Sequence, residues 1–123
     1  MPYDVAFNEA HSIVEICYSG AVTAEELLCA YFDAVSLAKS VNSKRFLADC
    51  TALRGGHSLT DLYLLIDQFE ASGLERDVKE AILIPSLQAS VADVEFYETA
   101  CRNRGYNISL FRDLGAALAW LRG

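Results

Sequence analysis

The run Ala81-Ile82-Leu83-Ile84, closed by Pro85, constrains the fold more than any other feature of the chain. It is too short for a helix and apolar at successive positions, so it lacks the alternation of a strand with one wet face. Such a run reads as a strand buried on both sides, as in a parallel sheet covered by further layers. The neighbouring segments supply those layers. "TAEELLCAYFDAVSLAKSV" puts Leu27, Tyr31, Ala34, Val35 and Ala38 on one helical face, and Thr23 with Glu26 reads as a capping box. "LTDLYLLIDQFEASG" carries the stripe Leu62, Leu65, Ile66 and Phe69, with Ser58 or Thr60 to cap it and Gly73 to stop it. "QASVADVEFYETACRNRG" is helical, with Val91, Val94, Tyr97 and Cys101 in register and Gly105 as the stop. "RDLGAALAWLRG" is capped by Asp113 and turns Leu114, Ala117, Leu118 and Leu121 inward.

Between and before these helices lie the strands. "YDVAF" and "SIVEICYS" flank the polar turn "NEAH", and in the second Ile13, Glu15 and Cys17 alternate with Val14, Ile16 and Tyr18. "KRFLADC" reads as a strand ended by Asp49, "KEAILIP" as the buried one and "YNISLF" as the last. The order ββαβαβαβα predicts an α/β fold: one domain over residues 1–123, with a mixed sheet of about five strands flanked by four helices. Its later strands are parallel, joined by right-handed crossovers, and the sequence suggests that the crossovers shield both faces.

Composition narrows the partners. The net charge of −7 opposes nonspecific binding to nucleic acid or anionic membrane, both of which need basic surface. No stretch approaches a membrane span. The opening "MPYDVAFNEAHS" has neither the basic nor the apolar part of a signal peptide, so the expected location is the cytoplasm. Cys17, Cys29, Cys50 and Cys101 form no CxxC pair and sit in apolar patterns, as small buried hydrophobes do. With His11 and His57 the only histidines, no metal site and no cofactor are expected. Phe96, Tyr97, Phe111 and Trp120 read as packing groups, and the edge of the hairpin offers a place for a second copy to pair, giving a homodimer.

Reactive side chains gather in "FLADCTALRGGHS", residues 46–58. In an open α/β sheet ligands sit beyond the carboxyl ends of the parallel strands. There Asp49, Thr51, Ser58, Ser86 and Arg112 converge on one rim if their strands are neighbours. A catalytic pair is not evident. A nucleophile needs a base within reach, but the side chains of His57 and Ser58 diverge as chain neighbours, and Cys50 reads as core. "RGGHS" has neither the spacing nor the lysine of a phosphate-binding loop. Asp49 reads as an anchor for loop N–H groups, the glycines as turns, and Ser58 or Thr60 as a helix cap.

The segments "GAVTAEEL", "RFLADCT", "VKEAILIP" and "FYETACRNRGYNISLFRDLGAALAWL" resemble the SpoIIAA-like family, small bacterial proteins that share the fold of STAS domains, the anti-sigma-factor antagonists. The resemblance runs from about Gly20 to the end of the chain. It implies a mixed α/β sheet, no catalytic activity and a regulatory role in docking a protein partner. In some STAS relatives a serine at the start of the helix after the third strand is phosphorylated. Ser58 and Thr60 occupy that place, where "GGHSLTD" stands instead of the family's D-S-S-G. Relatives with Sec14-type apolar pockets imply an alternative role, as carrier or sensor of a small apolar, lipid-like ligand. The binding or phosphorylation candidates are therefore Asp49, Thr51, His57, Ser58, Thr60, Ser86 and Arg112.

Overall fold

The hairpin and the strand–helix alternation form as the sequence predicts. A computed structural model describes residues 2–123. It runs β1 (Tyr3–Asn8), β2 (Ile13–Gly20), α1 (Ala24–Val41), β3 (Arg45–Leu53), α2 (Leu59–Ala71), β4 (Lys79–Leu83), α3 (Gln88–Asn103), β5 (Asn107–Phe111) and α4 (Leu114–Arg122). The strands lie side by side in chain order, β1 antiparallel to β2 and all later pairs parallel.

That order decides where the helices go. Each parallel connection steps to the next strand in the same direction, so right-handed crossovers carry α1, α2 and α3 to the same face. The expectation of crossovers on both faces is corrected accordingly: the strand order never reverses, so no connection is sent to the other side. Only α4, which follows the last strand, covers the second face, where Ala117 and Leu121 pack on Ile13, Leu47, Ala81 and Leu83. The apolar run is buried on both sides as expected, with Ile82 facing α1–α3 and Ala81 and Leu83 facing α4.

The three helices of the first face do not sit at equal depth. α1 presents the small residues Ala30, Ala34 and Ala38 to Val14, Ile16 and Phe46, which lets it lie close on β1 and β2. α3 approaches β5. The backbone of α2 instead neighbours α1 and α3, and it reaches down with the bulky Leu62, Ile66 and Phe69. α2 thus bridges the two flanking helices above the middle of the sheet. Polar contacts tie its C-terminal half down: Arg104 pairs with Asp67 at 2.7 Å and Glu70 at 3.1 Å. Ser72 donates to Gln68 O at 2.7 Å, so the Tyr31 hydroxyl donates to Ser72 Oγ at 2.6 Å.

Some local expectations change. β3 continues through Leu53 because Ala52 and Leu53 pair with Ser19 and Gly20 of β2, so Asp49 lies within the strand instead of ending it. Cys17 and Cys29 are exposed, whereas Cys50 and Cys101 are buried. Cys17 stands on the part of the sheet that α4 does not reach, and Cys29 is on the outer side of α1. Leu114 is 49% exposed, because α4 begins past the last sheet row, Leu83↔Phe111.

The position of α2 yields a paired prediction. Ile66, fully buried, loses about 2–5 kcal/mol as Ile66→Ala. Leu64, 55% exposed on the same helix, loses about 0.5 kcal/mol or less as Leu64→Ala. Urea unfolding of the two variants checks both; equal losses would misplace the helix.

Candidate functional site

At the carboxyl ends of the strands, residues 54–57 are zipped onto the segment after β2. The Arg54 N–H donates to Gly20 O at 2.9 Å and the Val22 N–H to Gly55 O at 2.9 Å. His57 Nδ1 lies 2.7 Å from Val22 O. A carbonyl can only accept, so Nδ1 carries the proton. Gly56 sits at φ +97°, where a Cβ would come within 2.4 Å of Val22 N. The glycine is there because two backbones meet. Ser58 then caps α2: its Oγ accepts from Asp61 N at 3.1 Å, and Asp61 Oδ2 accepts from Ser58 N at 2.9 Å. Ser58 and Thr60 are both exposed.

The rim candidates divide between the two faces. Asp49 Oδ1 accepts from Thr51 N at 3.0 Å and from Thr51 Oγ1 at 2.7 Å, on the α4 side of the sheet. Cys50 between them points into the opposite core, its thiol pushed up by burial. The Ser86 N–H donates to Thr51 O at 3.0 Å, which brings those two strand ends together. Ser58, Thr60 and His57 belong to the α2 side, and Arg112 is exposed after β5. Among the described residues no side-chain hydrogen bond joins Cys50, Ser58 or Ser86 to a histidine, and Ser58 meets Asp61 only as a cap.

A second constellation lies beneath α2. On the helix-bearing face one row crosses the sheet as Phe7, Val14, Phe46, Glu80 and Ile108. Glu80 is the one charged side chain in that row and faces inward from β4. Tyr97 of α3 donates to its Oε1 at 2.8 Å, while Oε2 has no hydrogen bond among the described residues. The carboxyl borders a chamber of about 60 Å³ lined by residues including Tyr18, Tyr31, Leu65, Phe69 and Tyr97. It also borders a second chamber of about 60 Å³ towards Cys50, His57, Leu62 and Val94. Glu80 itself is half-buried. Burial pushes its carboxyl from 4.5 up to about 7, with the Tyr97 hydrogen bond opposing the rise. Sequence reasoning passed over Glu80 as the flank of an apolar run. Its signal was an acidic residue inside a strand with two buried faces.

No family model matches the chain, and no curated protein matches it. Among solved structures the chain is similar to an uncharacterized protein of the DUF3478 family with a SpoIIAA-like fold, from Shewanella loihica PV-4. The TM-score is 0.60 at 19% sequence identity, covering 97% of this chain and 91% of the other. The fold is SpoIIAA-like. No helix among the described residues is long and apolar enough to cross a membrane.

Two variants test this geometry. Gly56→Ala destabilises by about 2 kcal/mol or more, since it combines left-handed strain with a backbone clash, whereas Gly55→Ala, which meets nothing within 4 Å, costs less. Glu80→Gln tests the buried carboxyl. A folded-state value raised from 4.5 to about 7 means that the folded state holds the proton more tightly. The associated stability is present below about pH 4.5 and is lost as pH rises through about 7. The wild type therefore loses about 3 kcal/mol across that window relative to Glu80→Gln. Thermal unfolding of both proteins at several pH values reads the difference; parallel curves would place the carboxyl in water.

Proposed function

We propose that this protein is a non-catalytic, STAS-like regulatory module of the bacterial cytoplasm that docks a protein partner through the first turns of α2. One observation carries the reading: Leu59, Tyr63 and Leu64 are 46%, 50% and 55% exposed on that helix, beside the exposed hydroxyls of Ser58 and Thr60. Large apolar side chains grouped on one outer surface favour association, and the SpoIIAA-like fold supports the same reading. Phosphorylation would control it at this helix start. A phosphoryl group there gains from the free N–H groups and the helix dipole and adds about −1.5 to −2 charge beside the apolar contact. Thr60 suits this role better than Ser58, whose Oγ and N–H are both committed to the capping box with Asp61.

A second reading, as carrier or sensor of a small apolar ligand, is supported by the chambers beneath α2. The docking reading is tested by immobilising the wild type and a Leu59→Ser, Leu64→Ser variant of matched thermal stability, then exposing both to one lysate. A protein retained by the wild type and depleted about tenfold or more by the variant, a loss of about 1.4 kcal/mol, is the expected result. Identical retained sets would sink the docking surface. Intact-mass analysis of the chain purified from its source tests the switch, which fails if no phosphorylated form exists under any growth condition.

A further inference from the structure

The chambers beneath α2 have a chemistry that selects among ligands, and a ligand assignment there rests on the reading of this protein as a carrier or sensor. Their shared wall is Tyr18, Leu27, Leu65, Glu80 and Tyr97. The first chamber adjoins a groove of about 410 Å³ between α1 and the end of α2, with which it shares Tyr31, Val35, Phe46, Leu74 and Val78. Each chamber, at about 60 Å³, holds about four to six water-sized spheres, the room a short alkyl group needs.

We propose that this cavity binds a small organic ammonium ion, a short-chain amine whose charge pairs with Oε2 of Glu80 and whose alkyl part fills the chamber walled by Tyr18, Tyr31, Phe69 and Tyr97. Three features support this assignment. Glu80 already receives one hydrogen bond, from Tyr97, which fixes its orientation and leaves the second oxygen to a ligand. No lysine or arginine lines either chamber, so a phosphate or carboxylate ligand would find no countercharge there. Aromatic faces attract cations and also pack alkyl groups, and the first chamber is walled mainly by aromatic and aliphatic side chains around that single carboxyl. An anionic or purely hydrocarbon ligand would leave the buried carboxylate uncompensated, whereas an ammonium ion offsets its desolvation.

The pairing requires the carboxylate form. The titratable groups facing Glu80 are Tyr18 from β2, Cys50 from β3, Tyr31 from α1, and Tyr97 and Cys101 from α3; Tyr106 lines the first chamber. The tyrosines and thiols are all pushed up and stay neutral near pH 7. Asp93 and His57 line the second chamber only. The ionisation of Glu80 is thus the charge change that an ammonium ion in the first chamber would sense.

The test titrates the full chain with n-butylammonium chloride, butan-1-ol and sodium butanoate, following the methyl resonances of Ile16, Leu27 and Leu65. Butylammonium is expected to shift these methyls and to bind tightest, with butanoate weakest. An alkylammonium keeps its proton throughout, so its affinity rises about 30-fold between about pH 5.5 and pH 8.5, following a carboxyl that titrates near 7. Glu80→Gln, which keeps the shape and the hydrogen bond from Tyr97, should abolish both the pH dependence and the preference for ammonium over alcohol. Tyr97→Phe removes the bond that favours the ionised carboxyl, so the midpoint of the pH profile moves up; this arm stands even if Glu80→Gln fails to fold. Butan-1-ol binding as tightly as butylammonium, or unchanged ammonium binding in Glu80→Gln, overturns the charge assignment and leaves the ligand-binding reading in place. No shift of these methyls with any of the three probes overturns both.

Discussion

The separation between α2 and the sheet shapes both candidate sites. Three crossovers must share one face because the strands follow one another without reversal. α1 takes β1 and β2 at close range through Ala30, Ala34 and Ala38, and α3 takes β5. What remains over the centre of the sheet is covered by α2 from a second tier, through Leu62, Ile66 and Phe69. Large side chains fill most of that distance and leave the chambers. Glu80 comes up from β4 beneath the space that α2 spans, where among the described residues its carboxyl meets no cation, only the hydroxyl of Tyr97.

The parts of this arrangement that could be read from the chain are those set by nearest neighbours. Thr23 and Glu26 form the reciprocal cap that their spacing predicts, Asp113 caps α4, and Gly73 and Gly105 take the positive φ of helix ends. The buried run around Ile82 was legible because no other environment suits it. The extent of β3 was not, since Ala52 and Leu53 become strand only through pairing with β2. Depth was equally hidden. The alanines of α1 and the leucines of α2 both read as apolar faces, and only their packing distances separate a helix that touches the sheet from one that stands above it.

Orientation at Glu80 fails to show for a related reason. A strand with one wet face announces its register by alternation, and a charged residue then simply marks the wet side. When both faces are apolar that rule has nothing to alternate with, and "KEAIL" reads as an apolar strand with a polar beginning. Cys17 is the complementary case. It alternates correctly with Ile16 and Tyr18, yet its face is covered only where α4 lies, which takes in Ile13 at the start of β2 but not Cys17.

The two candidate sites meet on a single helix. The polar ties of α2 gather in its C-terminal half, where Asp67 and Glu70 meet Arg104 and Ser72 meets Tyr31. Its first turn is held by the capping box, by Leu62 and by the zipped segment before it. Leu62 and His57, the groups that hold this turn from below and behind, are also walls of the second chamber. The rim and the cavity are therefore two sides of the same few residues.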